Sequence, residues 1–569
     1  MATAIANVGR ILAAANLKTE DLCWLLTVTL GSKDYRFSSE TVTITDADGV
    51  SHPYRGSLGD IEYSTAFELF SMDTDVPSIQ LEVVFPDSVA ALARDGVHLT
   101  SGTGELSLWV RGTELEDRVI LVKGRLVDGS YGDDSEPVSF LLEGDAFIDN
   151  AIFPDPAATI NAKTWPNAID DSLGTAYPFV WGEPGAMTTA DGAAIQVNGS
   201  PAYKVDTRKL LIAGHRVMAT SVVIRDETDA EEATFTVDHE ADGLGRICAT
   251  VTLDPVSQPT AVTGHDFRVK WGANGGGIRS GRPGRVDAAM DDAGELLQFL
   301  LQQSTIKYDA GRLATVSAQL QWVKIAGYIG EQGSPWEWIT DHLLPILPIS
   351  IGVSGSEGIF PLLWPMNADL NDAVYALAEA SAGEGNCIRA SSVTYEDIDI
   401  ANEITLEFAW GDHKNKPSAF TTVTGAPEEI TASDLNAGLI VTTKAADGSP
   451  AGYVNTSASG WPDAYARFSH ARHGRHATRI QSRIIYDRAT AEAIVSWMAR
   501  AKATPPRLIQ YDVDTKLAWM QPGDVVTITD DGIRLKSQVA LVRSVVFSET
   551  AVRLTLLIIE DPLRDSNDS

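Results

Sequence analysis

Apolar and polar residues alternate over short runs through the first 150 residues of the chain. Such alternation sends successive side chains to opposite faces and is typical of β-strands with one buried side. Turn-forming pairs, including Asp48-Gly49 and Asp128-Gly129, separate the runs. We therefore predict a short Ala-rich helix over residues 3–15, followed by a closed or nearly closed antiparallel β-barrel that completes a first domain over residues 1–150.

The pattern changes in the next 136 residues. Residues 151–190 carry five prolines and little periodicity, which predicts a connector that packs along the surface and contains a rigid apolar hook at Tyr177–Gly182. Residues 191–286 return to the strand pattern and end in a Gly-rich stretch. They predict a smaller β domain followed by a flexible linker.

Helical periodicity reappears in the second half of the chain. Two apolar stripes with the spacing of helices predict an α+β domain over residues 287–415; they consist of Leu296, Leu297, Leu300 and Leu301, and of Leu370, Ala373, Val374 and Leu377. Short strands are predicted at Ala318–Ile325 and Ile404–Trp410. Residues 416–480 are rich in small polar residues and predict a loop-rich excursion.

Residues 481–569 have the clearest pattern. Asp487 is placed to cap a helix that ends before Pro505-Pro506. The strand that follows alternates a buried face of Ile509, Tyr511 and Val513 with polar residues. A turn at Pro522-Gly523 and a further hairpin then predict a meander. A helix plus a second β-barrel is the expected architecture.

Composition agrees with a folded protein of several domains. Hydrophobic residues make up 44% and charged residues 21% of the 569 residues, which is typical of globular chains. The predicted fold class is mainly β with α+β insertions, and multidomain. It comprises two antiparallel β-barrels, a smaller β domain and an α+β domain.

The charge excludes a general nucleic-acid binder. Asp and Glu number 77 against 44 Lys and Arg, giving a net charge of −33, and such a field repels phosphate backbones. No apolar run reaches the roughly 18 residues that a membrane helix needs, so no stable membrane insertion is expected. Asn7 and Arg10 interrupt the stretch that would form a signal core, so we expect synthesis in the cytoplasm.

The sequence offers no catalytic, cofactor-binding or metal site. Cys23, Cys248 and Cys387 are too widely separated for a disulfide framework or a metal motif. His470, His473 and His476 have the spacing of metal ligands on a helix, but arginines interleave with them and repel a cation. The glycines at 275–277 lie among arginines without a phosphate-loop motif. With no nucleophile or metalloprotease motif either, we expect no enzymatic activity.

A basic strip stands out within this acidic chain. The stretch from Arg467 to Arg488 contains a single acid, Asp487, and the candidate interface residues of the strip are Arg467, Arg472, His473, Arg475, Arg479 and Arg483. One interpretation is a docking surface for an acidic partner, including another copy of the chain. The other is pairing with carboxylates of the same chain. The sequence leaves both open.

Two stretches resemble the hub proteins of phage tail tips and baseplates, from long-tailed phages and gene transfer agents. One is WLLTVTLGSKDYRFSSETVTITDADGVSHPYRGSLGDIEYS near the start. The other is the C-terminal helix followed by LIQYDVDTKLAWMQPGDVVTITDDGIRLKSQVALVRSVVF. The connector YPFVWGEPG is similar to the same group. The order of these motifs along one chain carries the resemblance.

The resemblance implies a structural virion protein at the tail tip. In that family two tail-tube-like barrels per chain place six barrels around a trimer, which matches a sixfold tube to a threefold tip. The trimer would form the channel or plug for DNA and the tape-measure protein. Further implied partners are the distal tail protein or tail tube ring and a central fibre or receptor-binding tip protein, with DNA only in passage.

Two departures and two alternatives qualify this resemblance. Some relatives hold an iron–sulfur cluster on four cysteines, and three separated cysteines do not provide that set, so no cofactor is expected. Catalytic domains found in other hubs have no matching motif here. One alternative is a glycan-binding or glycan-degrading phage tail protein with a carboxylate pair and an exposed Trp cleft. The other is a β-rich enzyme or adhesin outside phage biology.

Overall fold

The computed structural model describes the chain from Leu22 to Ile558 with internal gaps. Not described are residues 1–21, 60, 62, 67–77, 132–135, 145–149, 185–198, 219–221, 227–230, 256–261, 272–275, 283–284, 286–287, 355–357, 364–372, 379–386, 396–399, 412–415, 425–439, 445–449, 456–465, 467–468, 471, 503–504, 514–516, 518–519, 548–551 and 559–569. The predicted helix over residues 3–15 lies outside the described residues.

The N-terminal region forms an eight-stranded sheet. Its elements are β1 Leu22–Leu30, β2 Lys33–Ser38, β3 Val42–Thr45, β4 Ser51–Gly56, β5 Tyr63–Ala66, β6 Ser78–Val83, helix α1 Val89–Arg94, β7 Thr103–Val110, β8 Val119–Ser130 and β9 Val138–Gly144. The strand order in the sheet is β3-β4-β2-β1-β7-β8-β9-β6. The alternation of β1 buries Leu26 and Val28 in the main core, while Cys23 and Leu25 pack in a smaller cluster. Strand β5 is not part of this sheet.

The connector is buried where the sequence predicted a surface segment. Its strand β10, Phe179–Trp181, is buried at all three residues. Alternation explains this position, because Val180 packs in the core of the following β unit while Phe179 and Trp181 pack in a core of helices. The apolar hook therefore joins two cores, and the surface prediction for this part of the connector is wrong.

The middle β unit consists of two four-stranded sheets with the orders β11-β18-β14-β15 and β12-β13-β17-β16. Their strands are β11 Ser200–Pro201, β12 Tyr203–Asp206, β13 Lys209–Ala213, β14 Val222–Asp226, β15 Glu231–Ala233, β16 Phe235–Ala241, β17 Ile247–Leu253 and β18 Phe267–Trp271. The two sheets share one hydrophobic core, to which Ile224 and Val251 contribute from opposite sheets. Sheet-on-sheet packing of this kind needs one apolar face per sheet.

Helices dominate the next region. Its elements are α2 Ala293–Gln303, α3 Ala310–Gln319, β19 Gly327–Ile329, α4 Pro335–Trp338, β20 Ile349–Ser354 and β21 Gly358–Leu363. The predicted stripe Leu296–Leu301 is confirmed in α2, where its leucines are buried. The strand predicted at Ala318–Ile325 is wrong, because α3 extends to Gln319 and a turn follows. Strand β19 pairs antiparallel with β10.

Two further strands follow β21 along the chain, namely β22 Tyr375–Ala378 and β23 Cys387–Tyr395. Leu377 lies in β22 and not in the predicted helix; Leu370 lies outside the described residues. An apolar spacing that fits a helix also fits a short buried strand. Here β22 pairs in parallel with residues 526–529 far along the chain, and this long-range pairing decides the outcome.

Residues 403–481 form a five-stranded sheet in the order β27-β26-β25-β24-β28. The strands are β24 Glu403–Gly411, β25 Lys416–Thr424, β26 Ile440–Lys444, β27 Pro450–Asn455 and β28 Ala477–Gln481. The strand predicted at Ile404–Trp410 is confirmed. The excursion predicted to be loop-rich over 416–480 thus contains four strands, whose sequences are poor in long apolar runs but contain β-branched Thr and Val.

The C-terminal region begins with α5 Arg488–Lys502 and continues with β29 Arg507–Val513, β30 Val525–Asp530, β31 Leu535–Phe547 and β32 Val552–Ile558. The Asp487 carboxylate accepts a hydrogen bond from the Thr490 N–H at 2.7 Å, which confirms the predicted cap. The alternation of β29 is confirmed as well, because Ile509, Tyr511 and Val513 are fully buried. These strands join β22 and β23 in one sheet.

The two large sheets share one core. Strand β5 of the N-terminal region pairs antiparallel with β31, and residues of both sheets belong to one hydrophobic cluster. Among the described residues neither sheet closes on itself, so the closed barrels that the sequence predicted are not found. The mainly β, multidomain fold class is confirmed. No helix within the described residues is long and apolar enough to cross a membrane.

A candidate interaction surface on strand β28

The basic strip lies on and beside β28, which is the end strand of the five-stranded sheet. Strand β28 runs parallel to β24, with Thr405 opposite Arg479 and Glu407 opposite Gln481. Alternation along β24 places Ile404, Leu406 and Phe408 in the core together with residues of α5. The remaining positions of β24 carry Glu403, Thr405 and Glu407. Helix α5 therefore supports the sheet from behind and the charged residues lie on the opposite face.

Two arginines of the strip pair with these glutamates. The Arg475 guanidinium donates to both carboxylate oxygens of Glu403 at 2.6 and 2.7 Å, a bidentate geometry. Arg479 forms an ion pair with Glu407, whose side chain is only 1% exposed. Gln481 Nε2 donates to the other Glu407 oxygen at 2.7 Å. Pairing within the chain, one of the two interpretations open from the sequence, is thus present for Arg475 and Arg479.

Both arginines nevertheless face the solvent. The side chain of Arg475 is 65% exposed and that of Arg479 is 66% exposed. Arg483 extends the strip, with its guanidinium carbon 5.2 Å from the ring centroid of Trp410, and it is exposed as well. Arg472 and His473 lie in the exposed segment before β28. Arg467 lies outside the described residues.

Asn402 organises the segment that carries the histidines. Its side chain donates to the Gly474 carbonyl oxygen at 2.8 Å and accepts from the His476 N–H at 2.8 Å. A ring nitrogen of His476 lies 2.9 Å from the His473 carbonyl oxygen. Within the part of the chain that the structure describes, no three His, Cys, Asp or Glu residues form a group able to hold a metal ion.

The described part of the strip carries four exposed arginines, at 472, 475, 479 and 483. Of these, Arg475 and Arg479 pair with the two glutamates of β24. Ion pairs with highly exposed arginines leave the cation available to a second carboxylate. Glu403 and Glu407 thus hold Arg475 and Arg479 in place at an exposed surface.

Sequence reasoning missed Asn402, Glu403 and Glu407. Part of the signal was present, because Thr405 and Glu407 alternate with apolar residues in the strand predicted at Ile404–Trp410, and Glu403 lies directly before it. Their meeting with Arg475 and Arg479 depends on the parallel pairing of β24 with β28, about 74 residues apart. Local sequence carries no information on that pairing.

The arginines beside the Gly-rich stretch have another role. Arg282 donates to the fully buried Asp292 carboxylate and to the Ser317 carbonyl oxygen, both at 2.8 Å. Arg285 donates to Asp291 at 2.8 Å and to Asp292 at 3.2 Å. The hydrogen bond that Arg285 donates to the Asp291 carboxylate raises the pKa of Arg285 above its usual value. These contacts fasten the segment to the start of α2.

The strip lies in a stretch of the chain that matches a family model. Residues 457–542 match the model of the family Phage-tail_3, described as a putative phage tail protein. The predicted resemblance to phage tail proteins is confirmed. This match supports a structural protein of a phage tail and a location in the virion. It covers β28, α5, β29 and β30 in full. No curated protein matches the chain.

Solved structures of tail proteins resemble the chain loosely. A tail protein from Neisseria meningitidis MC58 has 8% identity and a TM-score of 0.34, and the alignment covers 95% of this chain and 97% of that one. The 43 kDa tail protein of prophage MuSo2 from Shewanella oneidensis has 11% identity and a TM-score of 0.31, covering 94% and 98%. A protein of a native gene transfer agent virion has 14% identity and a TM-score of 0.18, covering 47% and 83%. At these TM-scores the similarity supports no conclusion about this chain.

Proposed function

We propose that the chain is the hub of a phage tail tip or baseplate, a homotrimer that matches the sixfold tail tube to a threefold tip. The proposal rests on the phage tail family match and on the resemblance of both ends of the chain to hub proteins. Its partners are other tail proteins: the distal tail protein or tube ring, the tape-measure protein, and a central fibre or receptor-binding tip protein.

The observation that carries the proposal is the pairing of the two large sheets. The eight-stranded N-terminal sheet and the C-terminal sheet lie side by side, joined by β5 and by a common core. Each chain thus presents two β modules held in a fixed relation. Three such chains around one axis present six modules, which is the number that a sixfold ring requires.

The charge fits a conduit. With a net charge of −33, the walls of a central opening repel the DNA backbone, so that DNA passes without stable binding. The trimer acts as the channel or plug for DNA and the tape-measure protein. Its function is to assemble with other tail proteins and to open the channel, and it catalyses no reaction.

The basic strip serves as a contact between neighbouring subunits in this proposal. A strongly acidic chain repels its own copies, so close association needs a local surface of opposite sign. The exposed arginines at 472, 475, 479 and 483 provide it. A neighbouring chain supplies carboxylates in excess, since acids outnumber Lys and Arg by 77 to 44.

Light scattering of the purified chain tests the proposal. We expect a mass three times the 61.0 kDa of one chain, and dissociation in high salt because exposed ion pairs are screened. The double substitution Arg472→Glu with Arg483→Glu should shift the protein toward monomer and leave its fold intact. The matched control Arg94→Glu, on exposed α1, should remain trimeric. A monomer at all concentrations, with tail partners added, would contradict the hub.

A further inference from the structure

Strand β10 lies between two hydrophobic cores and is held there by a histidine. Val180 packs in the middle β unit, and Phe179 and Trp181 pack among the helices. The Val180 N–H donates to Nε2 of His215 at 3.0 Å, and the Val180 carbonyl oxygen accepts from the Ile278 N–H at 2.8 Å. His215 follows β13 and so belongs to the middle β unit.

The hydrogen bonds fix the protonation state of His215. A backbone N–H only donates, so Nε2 must present a lone pair to Val180. Nδ1 lies 2.9 Å from the Arg216 carbonyl oxygen, which only accepts, so Nδ1 carries the proton. The ring is therefore neutral. With a second proton on Nε2, the ring N–H and the Val180 N–H would both be donors, and no acceptor would lie between them.

A second histidine repeats the arrangement nearby. The Val217 N–H donates to Nε2 of His239, on β16, at 3.1 Å. This bond also requires a neutral acceptor nitrogen. The loop that carries His215 is further held by the Gly214 N–H bond to the Pro178 carbonyl oxygen at 2.8 Å. The short loop after β13 is thus tied by two neutral histidines: His215 lies in the loop and accepts from Val180, and His239 accepts from Val217 of the loop.

The surroundings of His215 oppose its protonation. Its ring packs against Phe179 with centroids 5.2 Å apart, and Phe179 in turn stacks on Phe299 of α2 at 4.7 Å. Burial lowers the pKa of His215 to about 4, and the neighbouring charge of His239 acts in the same direction. Among the described residues, His239 of β16 is the ionisable side chain that acts on the ring; the three residues of β10 carry none.

We propose that His215 is an acid-sensitive latch that fastens the middle β unit to strand β10. The latch is closed while its imidazole is neutral. Protonation of His215 removes the acceptor for the Val180 N–H, leaves that buried group without a partner and releases the loop. The inference concerns a junction within one chain and does not depend on the hub proposal.

Hydrogen exchange followed by mass spectrometry tests the latch. The full chain is labelled between pH 7 and pH 3, with labelling times scaled to the intrinsic exchange rate at each pH. We expect the peptide that contains Val180 to stay protected down to about pH 5, and then to lose protection about tenfold per pH unit below about pH 4, as release of one bond by one proton requires. A peptide from β7 should stay protected over the same range.

Substitutions separate the latch from general acid sensitivity. His215→Gln keeps an acceptor for Val180 but does not titrate, so its profile should be flat where the wild type falls. His239→Gln removes the imidazole that opposes a charge on His215, so the transition should move to higher pH. The control His98→Gln, at an exposed position of the N-terminal region, should behave as wild type.

Three results would overturn the latch. They are protection at Val180 that persists to pH 3, loss of protection in β7 and β10 at the same pH, and an equal acid response in wild type and His215→Gln. If His215→Gln does not fold, the wild-type profile and the direction of the His239→Gln shift still decide the question.

Discussion

Tyr63 stacks on Phe547, with ring centroids 5.9 Å apart and an interplanar angle of 20°. The Tyr63 hydroxyl donates to the Leu121 carbonyl oxygen at 3.1 Å, and Trp24 packs edge-on against Phe547 at 6.4 Å. Residues separated by almost the whole chain therefore meet in one core. These contacts join the two sheets in a single packed unit.

Truncation of this contact should destabilise both large sheets together. Phe547 is buried, and loss of a buried aromatic ring costs about 3–5 kcal/mol. Phe547→Ala should therefore lower hydrogen-exchange protection in β7 and in β32 alike. Tyr63→Phe keeps the stacking and removes the hydroxyl bond, so it should cost only about 1 kcal/mol. Loss of protection confined to the C-terminal sheet would contradict the shared unit.

Removal of Arg479 should destabilise the five-stranded sheet through Glu407. The Glu407 carboxylate is buried, and a buried charge without its partner costs about 1–3 kcal/mol. Arg479→Ala should lower the free energy of unfolding by about this amount, measured by urea denaturation. Arg479→Ala combined with Glu407→Gln should recover much of the loss, because no buried charge remains. A double variant as unstable as the single one would exclude this explanation.

Asp524 should make the folded protein more stable as the pH falls from neutral. Desolvation raises the pKa of Asp524 to about 6, above the value of a free Asp. The folded state thus binds this proton more tightly, and stability increases as the pH falls from 7 through 6 toward 4. Urea midpoints between pH 7 and pH 5, compared for wild type and Asp524→Asn, measure the effect. The variant keeps an acceptor for the Gln521 N–H and should lack this part of the pH dependence.

Asp292 should be among the most sensitive polar positions. It accepts from Arg282 and Arg285 and caps α2 through the Glu295 N–H at 2.8 Å. Asp292→Ala leaves two arginines without their shared partner, and we expect a loss of about 3 kcal/mol, as for broken buried pairs. Asp34→Ala removes an exposed pair with Arg36 and should cost at most about 1 kcal/mol. Equal losses in thermal or urea denaturation would contradict a special role for Asp292.

Local patterns predicted the elements that local forces determine. The Asp487 cap and the alternation of β29 follow from a few adjacent residues, and both were confirmed. The strand predicted at Ala318–Ile325 is wrong because a helix, α3, begins upstream and continues into this range. Asp309 accepts hydrogen bonds from the N–H groups of Gly311 and Arg312 at 2.9 and 3.0 Å and so starts a helix that continues to Gln319.

Elements that depend on distant partners could not be predicted. Leu377 is in a strand because β22 pairs with β30, and Trp181 is fully buried because two cores meet around β10. The candidate site shows the same limit. The arginines of the strip were found from their charge, but Glu403 and Glu407 were not, since only the pairing of β24 with β28 brings them together.

The symmetry of the assembled particle tests the central proposal most directly. Electron microscopy of the purified chain, alone and with a tail tube ring, shows how many copies surround the axis. The hub proposal predicts a closed ring of three chains with a central opening and six β modules in pseudo-sixfold order. A ring of six identical chains, or a compact monomer that does not bind the tube ring, would contradict it.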